Sequence, residues 1–145
     1  MKLLIQRVSQ AGVEIDNENI ATISNGILVF VGFDPTDSIR EITKLTKKLL
    51  NYKIFNNSNG RVAFSVLEAE AEILLVPQVT LAVSTNKGLK PSFSGAADPE
   101  KGLELFNAFK VHLESSYSKI LAGKFGANMS VSLINEGPIT YWFEA

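Results

Sequence analysis

The chain has 145 residues, 46% of them hydrophobic and 20% charged, a length that fits one domain over residues 1–145 and two domains poorly. Cysteine is absent and His112 is the only histidine, which excludes a disulfide framework, a thiolate nucleophile and every cysteine-bearing zinc site, and leaves one imidazole base. Fourteen basic residues against fifteen acidic ones give a net charge of −1, so a nucleic-acid partner has to be held by a local patch rather than a broad positive field.

The opening Met1-Lys2-Leu3-Leu4-Ile5-Gln6-Arg7 has no apolar core of signal-peptide length. The longest apolar run, Ile27 to Phe33, is far short of the roughly 20 residues a membrane-spanning helix needs. A soluble cytoplasmic protein with no membrane partner is expected. Residues 1–33 read as three strands: Leu3, Ile5, Val13 and Ile15 alternate with polar positions, Asp16 to Asn19 supply a turn, and Asn25-Gly26 is the strongest hairpin signal. Ile27 to Val31 is apolar on both faces, as a central strand covered on both sides should be. Ser38 and Glu41 have the capping-box spacing, and Ile39, Ile42, Leu45 and Leu49 mark the buried stripe of a helix ending at Asn51. Lys44, Lys47 and Lys48 lie off that stripe, on a face that is either solvated or turned toward phosphates.

Strands are expected at Tyr52–Phe55, Arg61–Val66 and Ile73–Val76, the last continuing as Pro77 to Val83, with Gln78 and Thr80 on one face. The connection from Ser84 to Ala97 is long for a small domain, and long ordered loops are often functional. Asp98-Pro99 opens a second helix with Phe106, Phe109, Leu113, Tyr117 and Ile120 inward and Gly123 closing it. Strands at Met129–Asn135 and Ile139–Phe143 flank the turn Glu136-Gly137-Pro138. The pattern predicts a mixed α/β fold, mostly antiparallel or mixed sheets packed in layers with two main helices, β/β/α.

His112 falls mid-helix with no G-x-S-x-G nucleophile, and H-E-x-x-H, EF-hand, P-loop and G-x-G-x-x-G patterns are missing. No metal or cofactor is therefore expected. The remaining chemistry lies in glycine, proline and hydroxyl residues at strand ends, where backbone amides are placed to stabilise an oxyanion.

Pro77-Gln78-Val79-Thr80-Leu81, Lys90-Pro91-Ser92-Phe93, Gly123 to Met129, Asn135 to Thr140 and the opening Ile5-Gln6-Arg7-Val8 together resemble, in order and spacing, the D-aminoacyl-tRNA deacylase family over the whole chain. The resemblance implies a homodimer that hydrolyses the ester joining a D-amino acid, or glycine, to the 3′ end of tRNA. Gly137-Pro138 would be a cis dipeptide inserted into the partner subunit's pocket, excluding L side chains, with Arg7 hydrogen-bonded to its carbonyls. Gln78, Val79 and Thr80 would line the cleavage site and offer amides to the oxyanion. Met129 would wall the pocket, while Phe125 and the loop with Lys90, Ser92 and Phe93 would border the terminal adenosine. The ribose 2′-hydroxyl assists hydrolysis in that family, which suits a chain with few side-chain catalysts. Pro77 stands where the family has serine; P-Q-x-T-L is similar to animal-type tRNA deacylases, whose Gly-Pro bond is trans and which accept small L-amino acids. That activity, or a non-catalytic tRNA-binding module, is the alternative to D-specific hydrolysis. Lys44, Lys47, Lys48, Lys87 and Lys90 are the candidate phosphate contacts.

Overall fold

The first third of the chain builds the spine of the computed structural model, which describes residues 1–86 and 88–145; Lys87 lies outside the described residues. Strand β1 (Lys2–Ile15) turns through Asp16-Asn17, both at positive φ (52° and 65°), into β2 (Glu18–Ile23). Two successive positive-φ residues form the turn whose twist suits a hairpin, and Asp and Asn tolerate that conformation best among residues with a side chain. The hairpin expected at Asn25-Gly26 does not form: β2 and β3 (Gly26–Gly32) pair with β1 separately and not with each other. Gly26 answers a different need. A Cβ there would lie 2.1 Å from the Glu72 carbonyl oxygen, so only glycine lets β3 start against β6 (Glu72–Pro77).

β3 is antiparallel to β1 and parallel to β6, and β6 is parallel to β7 (Ile120–Ala122). Ile27, Val29 and Val31, with Ile73 and Leu75, face a layer of helices; Leu28, Leu74 and Val76 face a second layer made by the later half of β1 and β2. β3 is thus covered on both faces, as its apolar run predicts. The helix layer is α1 (Ile39–Asn51) and α3 (Pro99–Ser116). Ser38 and Glu41 close the expected capping box, and Ile42, Leu45, Leu49 and Leu50 are buried. Ile39, expected on that stripe, projects past the core from the first helical position and is 60% exposed.

Elsewhere the structure departs from the periodicity. β4 (Phe55–Asn56) and β5 (Val62–Phe64) form only a small ladder of their own, which leaves Val62 and Phe64 exposed. Val66, read as the end of that strand, instead begins α2 (Val66–Ala69), one turn capped by Ser65 and Glu68. Beyond Pro77 the chain has run past its partner, because Val31–Pro77 is the last pair with β3. It folds into a 3₁₀ turn at Val79–Leu81 rather than continuing as a strand, and the Leu81 and Ala82 amides bond locally to Gln78 and Val79 carbonyls at 3.2 and 3.0 Å. Helix α3 stops at Ser116. Tyr117 is its extended C-cap and Ile120 opens β7, because Lys119 already accepts a bond from the Ile73 amide (2.9 Å).

β8 (Ser130–Glu144) runs antiparallel along the length of β1 and merges the two expected C-terminal strands. Gln6 faces Thr140 whereas Val8 faces Asn135, so Glu136-Gly137-Pro138-Ile139 stand opposite the single residue Arg7 as a bulge. An extra residue at Ser9, between Val8–Asn135 and Gln10–Ile134, then reverses the facing of β1. Leu3 and Ile5 look toward the helices, Ala11 and Val13 toward the second layer. The layered β/β/α arrangement is the expected one. No described helix is long and apolar enough to cross a membrane.

The Met1 ammonium is buried at the end of the sheet, donating to Asp37 (2.6 Å), Asp34 (3.1 Å) and the Ala145 carbonyl (3.1 Å), while Lys2 also bonds Asp34. Burial pushes the Asp34 carboxyl up, but hydrogen bonds and charge from Lys2 and the ammonium outweigh it and hold it below its ordinary value of 3.8. A depressed carboxylate stabilises the fold above its unfolded pKa, and that contribution is lost as pH falls through the folded one. Urea denaturation of Asp34→Asn should therefore show a loss of about 1 kcal/mol at pH 7. The difference from wild type shrinks below pH 3.8 and vanishes well beneath it; a difference that persists there contradicts the assignment.

Candidate active site

Where β3 and β6 end and α3 begins, their departing chains leave a cleft of about 780 Å³. Val31 and Phe33 contribute one side, Val76, Pro77, Gln78 and Val79 the floor, and Asp98 and Pro99 the start of α3. Phe125 to Met129, with Val131, close the far side. Cavities at the ends of parallel strands are natural ligand sites, since no further ladder occupies the space.

Pro77 keeps the ladder with β3 and ends the one with β7, where the Gly123 amide makes the last bond, to the Leu75 carbonyl (2.9 Å). The Gln78 amide donates to Val31 on β3 (2.7 Å), so the missing N–H of residue 77 would have pointed toward β7, whose pairing with β6 ends at Leu75–Ala122. The amides of Val79 and Thr80 open the 3₁₀ turn and have no backbone acceptor among the described residues. Gln78 and Thr80 meet differently from the strand reading, with the Gln78 side-chain amide donating to the Thr80 hydroxyl. Thr80 itself is exposed and is not part of the cleft lining.

Among the described lining residues Asp98 is the one ionisable group, and its carboxylate accepts from the Lys101 amide (3.0 Å) as the cap of α3. His112 lies far along that helix, outside the lining, its carbonyl taking the Ser115 and Ser116 hydroxyls. No group of three or more His, Asp and Glu residues suited to a metal occurs among the described residues. What the cleft offers a ligand is apolar walls and a few amide and carboxamide groups.

The other sequence-derived residues separate into three places. Phe125 joins the cleft, its ring 5.9 Å from that of Phe106 on α3, and Phe93 lines it from a 3₁₀ turn at Phe93–Gly95. Lys90 and Ser92 are exposed outside the lining; Ser84 and Ser92 exchange backbone bonds of 2.9 Å, which pins that loop. Arg7, Gly137 and Pro138 lie at the β8 bulge, away from this cleft. The Gly137–Pro138 peptide is cis and exposed. Arg7 is 3% exposed and donates to the Ile54 carbonyl (2.7 Å) and Asn56 Oδ1 (3.1 Å), with Glu136 3.4 Å from Nε. Its hydrogen bonds thus reach the chain behind the bulge instead of the Gly137 and Pro138 carbonyls. Phe33 and Asp98 were missed as site residues. Their sequence signals, an aromatic ending an apolar run and a helix cap, are explained equally well by structure alone.

Met129 owes its place in the wall to Gly123, where a Cβ would lie 2.7 Å from the Met129 sulfur. Replacing Gly123 by Ala should push this side chain toward the cleft at a modest stability cost of about 1 kcal/mol. The chain has two methionines, so methyl-labelled methionine gives two NMR signals. Gly123→Ala is expected to shift the Met129 methyl and leave that of Met1 in place; an unmoved Met129 signal contradicts the packing argument.

Residues 4–144 match the family model described as D-Tyr-tRNA(Tyr) deacylase. The chain is 43% identical over 144 residues to the D-aminoacyl-tRNA deacylase of Ectopseudomonas mendocina (strain ymp), covering 99% of each. It is 42% identical to that of Legionella pneumophila (strain Lens), covering 97% of each. Among solved structures, a c-Myc DNA unwinding element binding protein superposes with a TM-score of 0.96 at 36% identity, over 100% of this chain and 99% of that one. A probable eukaryotic D-amino acid tRNA deacylase superposes at 0.84 with 20% identity over 98% and 97% of the two chains, a likeness of fold. Agreement at this level from end to end means that the chain belongs to the D-Tyr-tRNA(Tyr) deacylase family.

Proposed function

We propose that this protein, acting as one domain and as a homodimer in the cytoplasm, hydrolyses the ester between a D-amino acid, or glycine, and the 3′ end of tRNA. The observation that carries the reading is a cleft whose described lining holds no free acid or base, beside a 3₁₀ turn whose first amides have no backbone acceptor among the described residues. In it, water adds to the ester carbonyl carbon and the negative charge on the former carbonyl oxygen is received by the Val79 amide of the lining and the Thr80 amide that follows it in the chain, beside Gln78. The carbon–oxygen bond to the ribose 3′-oxygen then breaks, and that oxygen takes up the proton released by the attacking water, relayed by the neighbouring 2′-hydroxyl. Removal of a single oxyanion donor in enzymes of known mechanism costs about 10²–10³ in rate, so amides alone supply a large share of such a barrier. Neither metal nor cofactor enters these steps.

Phe125, Phe93, Ser92 and Lys90 border the terminal adenosine in this reading, and Met129 and Pro77 shape the amino-acid pocket. Gly137-Pro138 of one subunit enters the other's cleft and turns its carbonyls toward the α-carbon, leaving room for hydrogen but not for an L side chain. Support for a second subunit comes from distance. Val131 lines the cleft opposite Val13 of β1, and Gly137 stands in the bulge opposite Arg7, about five strand steps or roughly 17 Å away, so the turn does not reach its own cleft. Arg7 steadies the turn from behind through Glu136.

Purified protein incubated with D-Tyr-tRNA, L-Tyr-tRNA and L-Ala-tRNA should release only the D-amino acid. Cleavage of L-Ala-tRNA would move the assignment to the animal-type activity, and binding without turnover to a tRNA-binding module. Gly137→Ala gives a second check. Within one protomer the added methyl meets nothing nearer than Asn135 Nδ2 at 3.7 Å. Its thermal stability should stay within about 1 kcal/mol of wild type, while kcat/KM on D-Tyr-tRNA falls at least about tenfold. Unchanged activity would remove the turn from the pocket.

A further inference from the structure

Helix α1 carries a cationic stripe with no carboxylate paired to it among the described residues. Arg40, Lys44, Lys47 and Lys48 are all exposed, and at about 100° per residue they fall within an arc of roughly 100°. That arc is opposite the buried residues Ile42, Leu45 and Leu49. Six other cations of the chain, Lys2, Arg7, Lys53, Lys101, Lys110 and Lys119, have carboxylate partners within 4.0 Å. The four on α1 have none among the described residues, and the helix's only acid, Glu41, is turned to the Ser38 amide (2.9 Å) and hydroxyl (2.7 Å) of the cap. A helix face that merely keeps a protein in solution usually mixes both signs. This one carries a single sign in a chain of net charge −1.

The stripe is also partly ordered before any ligand arrives. The Lys48 ammonium lies 4.1 Å from the Phe143 ring centroid and 6.0 Å from that of Tyr52, so the apolar ends of α1 and β8 hold one cation in place without cancelling its charge. From residue 40 to residue 48 the stripe runs roughly 12 Å along the helix axis. That matches a few successive phosphates of a nucleic-acid backbone better than a single small anion.

We propose that the Arg40–Lys44–Lys47–Lys48 face of α1 is a phosphate-backbone contact that grips the double-helical stem of the tRNA whose aminoacylated end occupies a cleft of the enzyme. The proposal rests on the reading of the cleft given above, and it assigns the stem to a surface outside that cleft. It explains how an acidic protein holds a polyanion: a local single-sign patch replaces overall positive charge.

The test compares two charge-matched variants. Arg40→Gln/Lys44→Gln/Lys47→Gln removes three stripe cations but spares the ring-bound Lys48, and Lys101→Gln/Lys110→Gln/Lys119→Gln removes three paired cations elsewhere. Binding of uncharged tRNA is measured against salt, and kcat/KM on full-length D-Tyr-tRNA and on a D-tyrosylated CCA trinucleotide. The stripe variant is expected to lower the log K against log salt slope by about 3 and to raise KM for full-length tRNA about tenfold or more, with the trinucleotide unaffected. The control variant should leave the slope nearly unchanged. Equal slopes for the stripe variant and wild type, with the fold intact by circular dichroism, overturn the proposal, as does equal weakening by both variants. A stripe variant that instead changes oligomeric state makes the face a protein contact and overturns it too. If wild type cleaves neither substrate, the reading of the cleft fails, while the salt slopes still decide the stripe.

Discussion

A guanidinium only 3% exposed in the middle of the strand that pairs with three others has to be neutralised where it lies, and much of the architecture follows from how Arg7 is accommodated. Left alone, such an ion costs several kcal/mol. Its Nη1 reaches the Ile54 carbonyl and the Asn56 side chain, and its Nε faces Glu136 across 3.4 Å as an ion pair without hydrogen-bond geometry. These partners belong to the chain leaving α1, to β4 and to the bulge of β8. One side chain therefore ties the exit of the helix layer, a small outlying ladder and the protruding turn to the central strand. A lysine could satisfy one of these directions but not all, since its ammonium lacks the extended planar fork.

The bulge is the visible consequence. Opposite one residue of β1, β8 spends four, and the ladder resumes at Val8–Asn135 before shifting once more at Ser9. Glu136, half exposed, lets the buried charge meet its counter-charge at the boundary rather than deep inside. The cleft follows the opposite principle. Its described lining holds a single ionisable group, the Asp98 carboxylate, and that is occupied in capping α3. A site of this composition acts through shape and fixed dipoles, and electrostatic interactions of amides strengthen as a bound ligand excludes water.

How much of this was legible in the sequence depended on whether a pattern had a single physical cause. The α1 capping box and the doubly buried run Ile27 to Val31 each had one, and both are found as read. Asn25-Gly26 had two. The glycine is there for close approach to Glu72, so it marked a strand start instead of a hairpin, while the hairpin formed at Asp16-Asn17. Pro77 to Val83 alternates like a strand, but a strand needs a neighbour, and β3 had none left to offer beyond Val31. Likewise Ile120 continues the helical spacing of α3, yet the β6 edge captured that segment as β7. Tertiary pairing overrode local pattern in both cases. For the site, the linked motifs pointed to Gln78, Val79, Phe125 and Met129 because they are adjacent in the chain as well as in space. Phe33 and Asp98 enter from distant segments and carry no chemistry of their own to betray them.

β8 joins the two halves of the problem in one element. Val131, near its start, is in the cleft wall, and Gly137, in its bulge, is presented outward. Both positions are set by the same ladder with β1, so a slip in register would displace wall and turn together. In the proposed homodimer this rigid spacing has a symmetry consequence. A two-fold axis that brings the turn of one subunit into the cleft of the other brings the reciprocal pair together as well, so both sites are completed by one interface or neither is. The distance along β8 that prevents the turn from serving its own cleft is, on that reading, what makes the exchange between subunits possible.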